Sequence, residues 1–295
     1  MPHPSVVFEI AATHVAAARW GRAIEHLAAF SVEPLPEGAI VPSATQANIV
    51  NSDALRSALR SVLARVPAEG QNIALLVPDP VIRVFILGFD TFPRRADEAL
   101  PLLRWRLKKI LPFDAEEAVI SWRRQQNREG KPEIVAAVAR QKIIREYEIV
   151  VEEFGLHPGV IQSSSLATLP LLDTPDATLL VRLSGRNLTT VIVRGETLCV
   201  YRSTELGAGI LAPQAVLDEI FPAVAFYQDT WGGKVERLRV AGFAEAEDEL
   251  RGHLARELDC DAAPFAAPGE STEAVRSLVA KGLESLVGWQ LHHGA

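Results

Sequence analysis

The sequence predicts a pseudo-duplicated α/β protein with a compact α+β block set into its first half. Three observations lead there. A run of short β-prone stretches opens the chain and recurs after residue 176, and each run is followed by helical and strand-like segments in alternation. Residues 83–154 read by themselves as β-α-β-β-α.

Residues 5–10, 14–20 and 22–30 carry apolar and β-prone side chains around Ala11-Ala12-Thr13, the pattern of a strand meander. A proline-rich connector over 34–42 leads to Asn51-Ser52-Asp53. There Ser52 or Asp53 can cap a helix with Leu55, Leu59, Val62 and Leu63 at helical spacing. Residues 72–78 form an apolar run of the kind buried on both faces of a sheet. In the block, 84–89 reads as a strand and 97–111 as a helix with Leu100, Leu103, Leu107, Ile110 and Leu111 on one face. Strands over 118–125 and 134–140 are separated by Asn127-Arg128-Glu129-Gly130, and a helix covers 141–154.

After the polar break Asp173-Thr174-Pro175-Asp176, strands are expected at 178–183, 188–194 and 197–202, joined at Ser184-Gly185-Arg186-Asn187 and Gly195-Glu196. A helix over 213–228, a strand over 237–241, a polar-faced helix over 245–258, an Ala-Pro-rich linker over 262–269 and one closing helix over 272–289 complete the second round.

Composition excludes several classes of function. With 295 residues, 48% of them hydrophobic, the chain buries a large core. Its net charge of −7 gives no general attraction to nucleic acid or anionic lipid, both of which need clustered positive charge. The two cysteines, Cys199 and Cys260, form no CxxC pair and fit a reducing compartment. The opening residues lack the basic and apolar regions of a signal peptide, and no apolar run approaches the ~20 residues that span a bilayer. Neither export nor membrane insertion is expected. The seven histidines include no HExxH, so no metal site is expected.

Several ordered segments resemble the PilM family of actin-like type IV pilus assembly proteins, relatives of the cell-division protein FtsA. They are Leu75-Leu76-Val77-Pro78-Asp79; the stretch from Leu103 to Pro112-Phe113 ahead of a strand ending near Trp122; Tyr201-Arg202 with Glu205-Leu206-Gly207-Ala208-Gly209; Asp218-Glu219-Ile220; Phe226-Tyr227-Gln228; and Val240-Ala241-Gly242. The resemblance covers nearly the whole chain. It implies an actin-like two-lobe fold with a nucleotide cleft: a first lobe from residues 1–80 and 155–172, an inserted subdomain over 81–154, and a second lobe over 173–295.

Actin-like sites hold phosphates with two glycine-containing hairpin turns, each preceded by an Asp that positions Mg²⁺ or water, and this sequence departs from that pattern. The first turn reads Glu9-Ile10-Ala11-Ala12-Thr13, keeping an acid and a hydroxyl but no glycine. The second keeps Ser184 and Gly185 but puts Arg182 where the family has its acid. The adenosine turn reads Gly242-Phe243, with the Phe243 ring expected in the purine's space. Glu9, Thr13, Ser184, Gly185, Gly207, Gly209, Glu219 and Gly242 are therefore the residues of a degenerate nucleotide site. Neither catalytic residues nor a cofactor is expected, and ATP is doubtful.

Glu9 reads either as a metal-positioning acid or as a carboxylate paired with a nearby base, and the missing partner acid favours the second. Arg182 and Arg186 read as an anion fork or, preferably, as solvated hairpin arginines. Glu219 is either a ribose contact or a surface acid. Arg104, Arg106, Lys108 and Lys109 form the most basic run, on the polar side of an amphipathic helix; it reads as an attractor of acidic lipid or a partner's tail or, as such runs usually are, as a solvated helix face. Trp105, Trp122, Trp231 and Trp289 are expected in the core or covering it.

The resemblance implies an adaptor, not an enzyme, at the cytoplasmic face of the inner membrane. Its partner is the tail of a PilN-like single-pass membrane protein, with other pilus platform proteins as further candidates and no nucleic acid. The tail is expected between the first lobe and the inserted block, with Leu103, Arg104 and Lys108 as contacts. The alternatives are an active ATP-binding actin-like protein, a GspL-like type II secretion component or a sugar kinase. The last needs a catalytic Asp that residues 182–187 lack.

Overall fold

The first meander forms from β1 (Val6–Ile10), β2 (His14–Trp20) and β3 (Leu27–Pro34), and α1 (Ser52–Arg65) then carries the chain to β4 (Asn72–Val77). This computed structural model describes residues 4–21, 26–68, 71–172, 174–207, 212–267, 269 and 271–293. The side chain of Asn51, one residue ahead of the expected Ser52 or Asp53, caps α1 by accepting from Ala54 N. The block follows as β5 (Arg83–Gly88), α2 (Ala96–Leu107), β6 (Ala118–Gln126) and β7 (Pro132–Arg140), and α3 (Gln141–Glu152), β8 (His157–Ser163) and α4 (Ser164–Thr168) close the first half.

The second half repeats the order: β9 (Ala177–Ser184), β10 (Asn187–Arg194), β11 (Thr197–Glu205), α5 (Pro213–Trp231), β12 (Arg237–Ala241), α6 (Glu247–Leu258), β13 (Asp261–Ala262), α7 (Glu273–Ala280) and α8 (Glu284–His293). Two five-stranded sheets result, β3-β2-β1-β4-β8 and β11-β10-β9-β12-β13. Each is an antiparallel meander whose first strand then pairs in parallel with the strand after the crossover helix. The duplication read from the sequence is thus a duplication of topology. Parallel neighbours need such crossovers, and α1 and α5 supply them.

Strand parity decides what each face meets. In β1, Val6, Phe8 and Ile10 join the core beneath α1 and α3, whereas Val7 joins the opposite face, against α7 and α8. In β9, Leu179 and Val181 face α5 and α6, whereas Leu180 faces the block.

Three expectations change here. The helix α3, grouped by sequence with the block, buries Ile143, Tyr147, Val150 and Val151 in the first lobe's core. The block is therefore the three-stranded sheet β5-β7-β6 with α2 on it. The closing helix is two helices, parted at Gly282, whose φ of 73° ends α7. Both pack on the first sheet through Val275, Leu278, Leu286, Val287 and Trp289, although the sequence groups them with the second lobe. Among the described residues no helix is long and apolar enough to cross a membrane.

Candidate functional site

A cleft of about 1170 Å³ lies where the two hairpin turns meet. Thr13, Ser184, Gly185 and Gly242 of the expected set line it, together with Arg182, Glu284, Arg276 and Lys281. The turns are in contact: a Cβ on Gly185 would stand 3.1 Å from Ala12 Cβ. Gly242 is required for another reason. At a φ of 85°, its missing Cβ would fall 1.9 Å from the Leu183 carbonyl oxygen, so only glycine lets this turn press against β9.

Glu9 shares the parity of Val7 and Arg182 that of Leu180, so both side chains turn toward the seam between the lobes. Arg182 is 5% exposed and Glu9 1%. Arg182 Nη2 donates to Glu9 Oε1 at 3.4 Å, and Arg182 Nε donates to Glu284 Oε1 at 2.9 Å. The neighbouring Ser285 Oγ donates to Glu9 Oε2 at 2.7 Å. Helix α8 can deliver Glu284 and Ser285 because Gly288 lets it approach α4; a Cβ there would meet the Ala167 carbonyl oxygen at 2.1 Å.

A third buried acid, Asp79, joins the seam beside this cluster. Asp79, held between Pro78 and Pro80, accepts from Ser165 N at 2.9 Å and Ser165 Oγ at 2.5 Å, and from Thr189 Oγ1 of the second sheet at 2.7 Å. Ser163 Oγ and Tyr201 Oη meet across the same seam at 3.3 Å.

Burial pushes the Glu9 carboxyl up. The His14 imidazole, 3.8 Å away, and the Arg182 charge outweigh it and hold the group down at about 2. Burial lowers Arg182, but the charges of Glu284, Glu9 and Asp79 overcome it and keep the guanidinium protonated. Glu284 is raised, because its burial outweighs the attraction of Arg182. One cation thus serves two carboxylates, and Glu284 is the one that takes up a proton first.

Of the two readings of Glu9, pairing with a base describes its surroundings, and the base is Arg182 from the other lobe. Arg182 is not the solvated hairpin arginine expected. Arg186 is: it is exposed and stands 3.6 Å from Glu205. Phe243 does not enter the purine's space, since it is buried in the core under α5 and α6. Glu219, on α5, stands 3.8 Å from Arg202 of β11, and Glu219 and Gly207 lie outside the cleft wall. Gly209 lies outside the described residues.

Asp79, Glu284, Ser285 and Thr189 were not singled out as site residues. Asp79 carried a signal, an acid between two prolines after an apolar strand; Glu284 looks like any helix acid.

The expected partner contacts separate. Leu103 is fully buried in the block's core, so it is not a surface contact. Arg104 is spent inside the block, donating to the Ala115 and Ala118 carbonyl oxygens at 2.6 and 3.3 Å. Lys108 is exposed. Trp105, expected in the core or covering it, is 65% exposed. A groove of about 410 Å³ on the block's flank is lined by Ile86, Val200, Tyr201, Pro222, Phe226 and Trp231, and so runs along the second lobe.

No protein-family model matches the chain, and no curated protein matches it by sequence. Solved structures are similar to it in fold. One is the PilM-PilN type IV pilus biogenesis complex, at 16% identity and a TM-score of 0.77 over 100% of this chain and 99% of that one. Another is the cytoplasmic domain of EpsL, an inner membrane component of the type II secretion system of Vibrio cholerae, at 12% identity and 0.53 over 95% and 94%. A third is a Bacteroides thetaiotaomicron protein of unknown function with an actin-like ATPase fold, at 9% identity and 0.50 over 96% of each chain. The fold is therefore actin-like and two-lobed, with the extra block in its first half.

Proposed function

We propose that this actin-like chain is a PilM-like adaptor that binds the tail of a PilN-like membrane protein and does not hydrolyse ATP. The observation that supports the reading is the buried pairing of Arg182 with Glu9 and Glu284, at the position to which the resemblance assigns the second acid of an actin-like site. A cation there repels Mg²⁺, and the contact of Ala12 with Gly185 narrows the space between the turns. The likeness to the PilM-PilN complex over the full length of both chains supports the pilus role. The weaker likeness to EpsL makes type II secretion the second reading. On either reading the chain works in the cytoplasm, held at the inner membrane by its partner.

For the tail we favour the groove between the block and the second lobe over the first-lobe side expected from the sequence. Its wall offers Phe226, 56% exposed, beside Pro222 and Trp231 as apolar pockets. The test is calorimetric titration of the protein with a synthetic PilN-like tail, then of Phe226→Asp and Lys108→Glu. Micromolar binding lost only in Phe226→Asp supports this seat. Loss only in Lys108→Glu returns the seat to α2, and no binding by the wild type removes the adaptor reading.

A further inference from the structure

Helix α2 ends in a surface that neither the cleft nor the groove uses. Trp105 is 65% exposed and Ile110 48%, and Arg106, Lys108 and Lys109 surround them, all exposed. Among the described residues no ion pair engages these three cations. The acids nearby are mostly committed: Glu116 stands 3.7 Å from Arg104, Glu117 pairs with Arg140 at 2.6 Å, and Asp114 Oδ1 accepts from Glu116 N. Asp97 and Glu98 sit at the other end of α2 beside Arg95, about 16 Å from Lys108 at the helical rise, which exceeds a physiological Debye length.

Bases in a last helical turn have an ordinary explanation, because they complement the partial negative charge of the C-terminal carbonyls. That explanation leaves Trp105 and Ile110 in water. An indole and an aliphatic side chain set among lysines and arginine is the combination that settles at the headgroup level of a bilayer, the rings in the interface and the cations on anionic lipid.

The shape favours a flat partner over a peptide. The patch is a helix end and its following turn, and none of its residues lines either cavity. The chain's net charge of −7 gives an anionic surface no general attraction, so a local basic tip would also favour one orientation.

We infer that the end of α2, through Trp105, Arg106, Lys108, Lys109 and Ile110, is a peripheral contact for an anionic membrane surface. The contact is weak by itself, and it becomes effective once a membrane-anchored partner has raised the local concentration. This goes beyond the adaptor reading and is tested without any partner.

The experiment is co-sedimentation of the full chain with phosphatidylcholine vesicles, and with vesicles in which a third of the lipid is phosphatidylglycerol. Binding is expected on the anionic vesicles at about 0.05 M salt and should be lost near 0.5 M. Each base contributes about fivefold, so Arg106→Glu with Lys108→Glu and Lys109→Glu should lower the bound-to-free ratio by at least about 100-fold. Trp105→Ala should lower it several-fold with the charge unchanged. Circular dichroism of each variant checks that it folds. Three outcomes overturn the inference: no wild-type binding to anionic vesicles at low salt, equal binding to neutral ones, or undiminished binding by the triple variant. If the triple variant instead loses a soluble tail while the wild type ignores vesicles, the patch is a protein contact, and the adaptor reading survives.

Discussion

Arg182 Nη2 stands 3.4 Å from Glu9 Oε1, joining the first strand of one lobe to the first strand of the other with both side chains out of solvent. Glu284, 2.9 Å from Arg182 Nε, ties α8 to the same cation. The seam thus holds an arginine between two glutamates.

Arg182→Met should destabilise the fold by about 3–5 kcal/mol, because it strands Glu9 and Glu284 without a counter-charge. Arg182→Asp should cost more, since it adds a third acid to the cluster. Adding Glu284→Gln to Arg182→Met should recover part of the loss. Urea denaturation measures all three, and a cost under about 1 kcal/mol for Arg182→Met would show that the cluster does not hold the lobes.

Stability should depend on acid through Glu9 and Glu284 with opposite signs. Glu9 lies near 2 in the fold against an ordinary 4.5, so its contribution is present above pH 4.5 and is lost as pH falls toward 2. Glu284 is raised, so it favours the fold below 4.5 and loses that effect as pH rises above it. Urea midpoints across this range should fall less steeply on acidification in Glu9→Gln, and should lose the decline just above pH 4.5 in Glu284→Gln. Parallel profiles for wild type and variants would contradict this assignment.

Two glycines with positive φ should respond differently to alanine. Gly195, with φ 54° and open space around its absent Cβ, should cost about 1–2 kcal/mol from backbone conformation alone. Gly242→Ala should cost at least twice that, because a methyl group would press on the Leu183 carbonyl oxygen. Equal melting temperatures for the two variants would mean that the turn relaxes freely.

Millimolar ATP with Mg²⁺ should leave the melting temperature within about 1 °C of the apo value. A ligand present at a hundred times its Kd adds about 2.7 kcal/mol, which a thermal melt detects readily. A rise of several degrees that requires Mg²⁺ would restore the nucleotide reading despite Arg182.

Much of this architecture was legible along the chain because it rests on local periodicity. Apolar and β-prone runs marked both meanders, helical spacing marked α1 and α2, and the glycine turns fell at Gly185 and Gly195. The residue types at Ala11-Ala12, Arg182 and Gly242-Phe243 were also visible, since a residue type shows without coordinates.

What the sequence alone determined, then, was the order of elements, their repetition and the residue types at the two hairpins. Tertiary structure decided their partners. Periodicity says which face of an element is apolar but not which apolar surface covers it. For that reason α3 and the closing helices were grouped with the wrong neighbours, although both cover the first sheet. The same limit applied at the seam. Arg182 and Glu284 are 102 residues apart, and Glu9 and Ser285 are 276 apart. An ion pair depends on separation in space and on the exclusion of water, and neither is encoded at a single position of the chain. The packing of α8 through Gly288 brings them together, and that contact turns three ordinary charged residues into one buried cluster between the lobes.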